Sequence, residues 1–319
     1  MRPLGRSLGH PSAPHSTARR PPCHPLVAAA IVTAVPSPPL ADLTFSLIGP
    51  GRVGSSLAAW LAAAGARGIS VLGRQLEPSE LATGGQDLLM IAVPDAALPA
   101  LAEALAARPQ ARVVLHTAGG LDAEVLAPLR GPAGSAVGTF HPLKAFPRPL
   151  PDPEEARGVF FALGGDPEAI ALGERLATAL GAEAAEVPAA ARPLYHFAAS
   201  VAAGGVTTLL AAAAEIADRL GLPSAVARGY LELARGAIAQ AAAVGDAAAT
   251  LTGPTARGDL ATVERHLGEL ARVAPEKLQL ALELARETLR QAARHGSLTA
   301  EQDLLRAALE ERIARLRPP

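Results

Sequence analysis

The segment Gly49-Pro50-Gly51-Arg52-Val53-Gly54 constrains the fold of this chain more than any other. It follows a short β-type run and leads straight into the helical stretch that begins Ser55-Ser56-Leu57. In such a strand–turn–helix the first glycine permits a tight turn, the second lets the backbone approach a pyrophosphate, and the third lets helix and strand pack closely. The helix N-terminus adds oriented N–H groups that favour an anion. A bare Gly-x-Gly-x-x-Gly is weak evidence; the flanking strand and helix give this one its force. Gly49, Pro50, Gly51, Arg52, Val53 and Gly54 are accordingly read as cofactor-binding.

The sequence around this loop alternates apolar β-type runs with alanine- and leucine-rich helical stretches, as βαβ units of a parallel sheet do. Strands are expected at Thr44–Ile48, Ile69–Leu72, Leu88–Val93, Arg112–His116 and Ala136–Phe140, with a further pair of strand Val159–Leu163 and helix Pro167–Leu180. Helices are expected at Gly54–Ala64, Ala96–Ala107 and Asp122–Leu129, with only a helical turn in the 73–87 connection. After Pro188 the apolar residues recur at helical spacing to the end, broken by a Gly-, Thr- and Pro-rich loop at Gly245–Gly258. The expected class is α/β: an N-terminal Rossmann doubly wound parallel sheet over residues 43–188, followed by an all-α domain over 189–319. Residues 1–42, rich in Pro, Arg and His, read as a disordered extension or a start called too early. Their arginines stand too far from the apolar run Leu26–Val35 for a secretory signal.

Acidic and basic residues nearly cancel, 30 against 29, so no overall field would hold the chain on nucleic acid or an anionic membrane. No apolar run is expected to reach the roughly 18 residues that span a bilayer. The single cysteine, Cys23, excludes an intramolecular disulfide framework and a cysteine metal cluster, which fits a cytoplasmic protein and no metal.

Where an NAD enzyme places an acidic residue to bind the ribose 2′-OH, the sequence reads Leu72-Gly73-Arg74-Gln75. A carboxylate there would repel a 2′-phosphate, whereas the fork of Arg74 pairs with one, so the expected cofactor is NADP. Ligands of open α/β sheets lie beyond the carboxyl ends of the strands, which singles out Val93-Pro94, His116-Thr117 and His141 through Lys144. Val93, Pro94 and Thr117 join the cofactor set. His141, Lys144 and His196 are the candidate acid/base residues, since His titrates near neutrality and a buried Lys can be tuned downward. His116, Arg257 and Asp259 are the candidate substrate contacts, Arg257 as a bidentate clamp on a carboxylate. Each histidine has an equally plain reading as a hydrogen-bonded turn residue, and Asp259 has one as a helix N-cap.

The segments GPGRVGSSLA at 49–58, HTAGGLDAEVLAPLR at 116–130, GTFHPLKAF at 138–146, RPLYHFAAS at 192–200 and LTGPTARGD at 251–259, in this order, resemble the Rossmann-like proteins with a DUF2520 C-terminal domain. These are often labelled NADP- or coenzyme F420-dependent oxidoreductase-like. The resemblance covers about residues 43–315. It implies kinship with ketopantoate reductase, pyrroline-5-carboxylate reductase and 6-phosphogluconate dehydrogenase, whose helical domains supply substrate and dimer contacts. One departure stands out: where the family commonly carries Ser-Asn or Ala-Asn, this chain has Gly204-Gly205.

The resulting expectation is an NADP-dependent oxidoreductase, with F420 as the weaker alternative, acting on a small anionic carbonyl or hydroxy compound. A ketopantoate-reductase-like enzyme and a non-catalytic NADP-binding regulatory module are the alternatives. A homodimer through the apolar helical domain is expected, with no nucleic-acid or membrane partner.

Overall fold

The computed structural model of the chain describes residues 40–68, 70–73, 85–108, 111–130, 134–295 and 298–316. Most of the 1–42 extension, Cys23, Arg74 and most of the 73–87 connection lie outside these residues. Leu40 is fully buried in the core and its N–H donates to Ala64 O, while Asp42 pairs with Arg175. The folded body thus begins before residue 43, and a truncation at 42 would remove a core side chain.

The central sheet has seven strands: β1 (Phe45–Ile48), β2 (Val71–Leu72), β3 (Leu88–Ile91), β4 (Val113–His116), β5 (Ala136–Pro142), β6 (Phe160–Gly165) and β7 (Glu183–Glu186). Their order is β2-β1-β3-β4-β5-β6-β7. All four residues of each of β1, β3 and β4 are buried, as in a parallel sheet covered on both faces. One face packs on α1 (Arg52–Ala63) and α3 (Pro167–Ala179) through Leu57, Trp60, Leu61, Leu172 and Leu176. The other packs on α2 (Leu98–Leu105) and the 3-10 segment Ala123–Arg130 through Leu98, Leu105, Leu126 and Leu129.

The sheet is not parallel throughout. β6 runs antiparallel to β5, with Phe161 opposite Pro142. The segment between them holds a single 3-10 turn, Pro153–Ala156, and no helix that could carry the chain across the sheet, so it returns beside the strand it left. The helix Pro167–Ala179 then supplies a crossover to β7, which pairs parallel with β6.

The second half is helical: α4 (Arg192–Ser200), a π-helical segment Val201–Gly205, α5 (Val206–Arg219), α6 (Ser224–Val244), α7 (Pro254–Arg257), α8 (Leu260–Val273), α9 (Leu278–Ala292) and α10 (Ala300–Leu316). Val263, Leu267, Leu282, Leu289, Leu305 and Leu309 close a separate core among α8, α9 and α10. Helix α6 buries none of its 21 residues. The continuous stretch Ala189–Arg219 is, against the expectation from sequence, long and apolar enough to cross a membrane by length and composition, with a window of mean hydropathy 1.7. Ser200, Gly204, Gly205, Thr207 and Thr208 break the run to the eye, while alanine, valine and leucine sustain its average.

Candidate active site

Strand order reverses between β1 and β3, and the crevice beyond their carboxyl ends is where an open α/β sheet takes its ligand. A cavity of about 840 Å³ opens there, lined by Gly49 through Val53, Gly73, Val93, Pro94, Thr117, Gly119, His141 and His196, among others. The three glycines divide their work as the motif requires. Gly49 has φ +96°, and a Cβ there would come within 2.5 Å of Ala92 O. Gly54 sits where a Cβ would strike Gly49 O and the Leu47 side chain, so it sets the contact between α1 and β1 and does not line the cavity. Gly51 faces open space, with nothing within 4 Å of a Cβ. The first turn of α1 carries no acidic residue and no side-chain cap, leaving its N–H groups free for an anion. These features fit a pyrophosphate.

A second cavity, of about 550 Å³, lies between the end of β5 and the α4–π segment, lined by His141 through Ala145 and by Tyr195, His196, Ala198 through Ser200, Ala202 and Ala203. His141 and His196 line both cavities. Their rings meet edge to face at 5.6 Å. His141 Nδ1 is 2.9 Å from the Tyr195 hydroxyl. Burial raises the Tyr195 phenol above its ordinary value, so it keeps its proton and donates. Burial, aided by the neighbouring His196 ring and Arg192 guanidinium, lowers His141 to about 4, so its ring is neutral and accepts at Nδ1. The remaining proton of His141 then sits on Nε2. A Cβ on Gly119 would collide with both His141 Nε2 and His196 Nδ1, so the two ring nitrogens converge over a residue without a side chain. His196 Nδ1 is buried without a hydrogen-bond partner among the described residues.

His116 has a different role from the expected substrate contact. It is fully buried, its Nε2 donates to Asp122 O at 3.0 Å, and its Nδ1 accepts from Ala118 N at 3.1 Å. It lines neither cavity and instead shapes the turn that carries Thr117 and Gly119. Burial lowers it too, to about 4. Unfolded, His116 and His141 would each take up a proton near 6.5; folded, only near 4. The unfolded chain therefore holds more protons between those values, and stability is full above pH 6.5 and falls as the pH drops toward 4. The limiting loss is about 3 kcal/mol per ring. Urea unfolding at stepped pH should show this decline, and His116→Gln should flatten it while lowering the plateau near neutrality.

Lys144 lines the second cavity, but its Nζ is held at 2.8 Å by Glu155, which suits a neutralised wall better than an acid/base. Arg257 ends α7, exposed, and Asp259 caps α8 by accepting from Thr262 N at 3.1 Å; neither lines either cavity, so the expected carboxylate clamp is not part of this site within the chain. Gly204 and Gly205 fall in the π-helical segment, where a side chain at Gly204 would enter open space. Arg192, not singled out from sequence, is 1% exposed, donating to Thr139 Oγ1 and Leu163 O with no carboxylate partner among the described residues. Only an arginine directly before Pro193 signalled it.

A seven-stranded sheet with a glycine loop under its switch point makes this a Rossmann-fold protein with an appended helical region. Residues 159–288 match the DUF2520 family, a domain of unknown function. The match begins at the start of β6 and not after β7, so it takes in the last βαβ unit together with helices α4 to α8 and most of α9. A Bacteroides fragilis protein provisionally named an NADP oxidoreductase shares the fold with a TM-score of 0.63 at 22% identity, over 78% of this chain and 98% of that one. A Thermotoga maritima protein does so at 0.62 and 20%, over 79% and 99%. An Aspergillus terreus reductive aminase, in complex with NADPH and ethyl-5-oxohexanoate, reaches 0.50 at 17%, over 86% and 95%. At these identities the likeness is one of fold. No curated protein matches the chain.

Proposed function

We propose that this protein is a nicotinamide-dinucleotide-dependent oxidoreductase, with NADP preferred, that interconverts a small carbonyl compound and its reduced form. The observation that carries this reading is that His141 and His196 line the glycine-loop cavity and the apolar cavity at once. Gly49 to Val53 would hold the pyrophosphate, and the nicotinamide supplies or accepts a hydride when bound. Tyr195 donates to His141 Nδ1, which directs the Nε2 proton of His141 toward the space above Gly119. A carbonyl oxygen placed there would accept from Nε2 as it gains charge, and His196 Nδ1 is available as a second partner. The preference for NADP rests on Arg74 and on the missing carboxylate after β2, at whose end Gly73 lines the cavity.

Consumption of NADPH by the full chain across a panel of aldehydes and ketones tests this. Turnover is expected, about tenfold slower in Tyr195→Phe. Saturable dinucleotide binding with no turnover across the panel would support a binding module instead.

The same reading takes the protein as a homodimer through α4 to α6. Leu194, Phe197 and Leu233 are 75%, 65% and 72% exposed there, more apolar surface than an isolated bundle ordinarily shows. Sedimentation equilibrium at micromolar concentration should give a dimer, and Leu233→Glu should weaken it; a monomer would refute this.

A further inference from the structure

The cavity between β5 and α4 has a composition that speaks to what can enter it. Leu143, Ala145, Ala198, Ala199, Ala202 and Ala203 form most of its wall. Its polar residues are His141, Lys144, Tyr195, His196 and Ser200, and of these His141 and His196 also line the glycine-loop cavity. The one lysine or arginine in the lining, Lys144, is ion-paired with Glu155 at 2.8 Å. Arg192, whose guanidinium is buried, bonds to Thr139 and Leu163 and lines a different cavity, beside Gly164 and Asp166.

From this lining we infer that the substrate is an uncharged ketone or aldehyde with an apolar body, and that Glu155 determines this preference by neutralising Lys144. The inference rests on the proposed carbonyl chemistry for the orientation of the ligand, with its oxygen toward His141 and its body along the alanine wall. A carboxylate carried on that body would give up part of its hydration without gaining an unpaired cation, and even partial desolvation of an ion without a partner is disfavoured. Removing the Glu155 charge would leave the Lys144 ammonium at the wall with no counterion, and an anionic ligand would then supply one.

Ligand-observed NMR on the full-length protein tests this with a matched pair, 4-phenylbutan-2-one and 4-(3-oxobutyl)benzoate, which differ only by a carboxylate at the end remote from the carbonyl. The neutral ketone is expected to bind at least tenfold more tightly to the wild type. In Glu155→Gln that ratio should shrink at least fivefold through tighter binding of the benzoate, and Lys144→Met placed on Glu155→Gln should restore it. Equal or tighter binding of the benzoate by the wild type, whether or not Arg257→Ala removes it, would overturn the inference. So would an unchanged ratio in Glu155→Gln, or no binding of the ketone. Because binding is read without turnover, a protein that selects the ketone but never oxidises NADPH would keep this inference and lose the proposed reaction.

Discussion

Replacing His141 with alanine should lower kcat/KM for carbonyl reduction by roughly 10²- to 10³-fold, the cost of removing one hydrogen-bond donor aimed at a developing oxyanion. Dinucleotide affinity should change by no more than about threefold, because the backbone of residues 49–53 forms the other end of that cavity. Among the described residues that line both cavities, His141 alone makes a side-chain hydrogen bond, to Tyr195 at 2.9 Å. Its loss removes the donor, whereas Tyr195→Phe removes only the group that fixes its tautomer, which is why the second effect is smaller. Steady-state kinetics with matched dinucleotide titrations separates the two. A His141→Ala enzyme with unaltered kcat/KM would exclude this residue from the chemistry.

Two glycines three positions apart should respond to alanine in opposite ways. Gly54→Ala puts a methyl group against Gly49 O, backbone that cannot step aside, and against the Leu47 side chain. Overpacking of this kind costs about 1–3 kcal/mol, so Tm should fall by roughly 2–10 °C, with dinucleotide binding weakened as the loop is displaced. Gly51→Ala meets nothing within 4 Å. Its Tm should stay within about 1 °C of the wild type, yet dinucleotide affinity should fall at least tenfold, because the methyl group occupies the space through which the backbone approaches the pyrophosphate. Calorimetric melting and fluorescence titration of both variants would show the contrast; equal loss of stability in the two would contradict these roles.

Where hydrophobicity and glycine chemistry act locally, the sequence was readable. The runs at Phe45–Ile48, Leu88–Ile91 and Val113–His116 are buried strands because they are predominantly apolar, and Asp259 caps a helix as its residue type suggests. Strand β7 was not foreseen: Glu183-Ala184-Ala185-Glu186 is a short, charged edge strand held by backbone pairing with β6, so its side chains carry no apolar signal. The antiparallel turn of β6 depends on a helix missing from residues 143–159, which a strand-by-strand reading does not weigh.

The site was legible in part. His141 and His196 are far apart in sequence, and only the docking of α4 on the end of β5 brings them together. His116 has the same position at a strand end as His141, but both of its ring nitrogens are taken by backbone groups of its own loop, a distinction that needs three dimensions. Tyr195 stood out beside His196 as a polar residue in an alanine-rich helix, yet its role depends on the ring it reaches across the fold. Lys144 and Arg257 were selected for their charge; Glu155 neutralises one and the fold keeps the other out of both cavities.

The central claim is that the glycine loop binds a nicotinamide dinucleotide, and the most direct measurement is titration of the full-length protein with NADPH and NADH, beside Gly51→Ala and Arg74→Ala. The account expects saturable binding of both, tighter for NADPH, with Gly51→Ala weakening both and Arg74→Ala removing the preference. No binding of either nucleotide to a folded protein would contradict it.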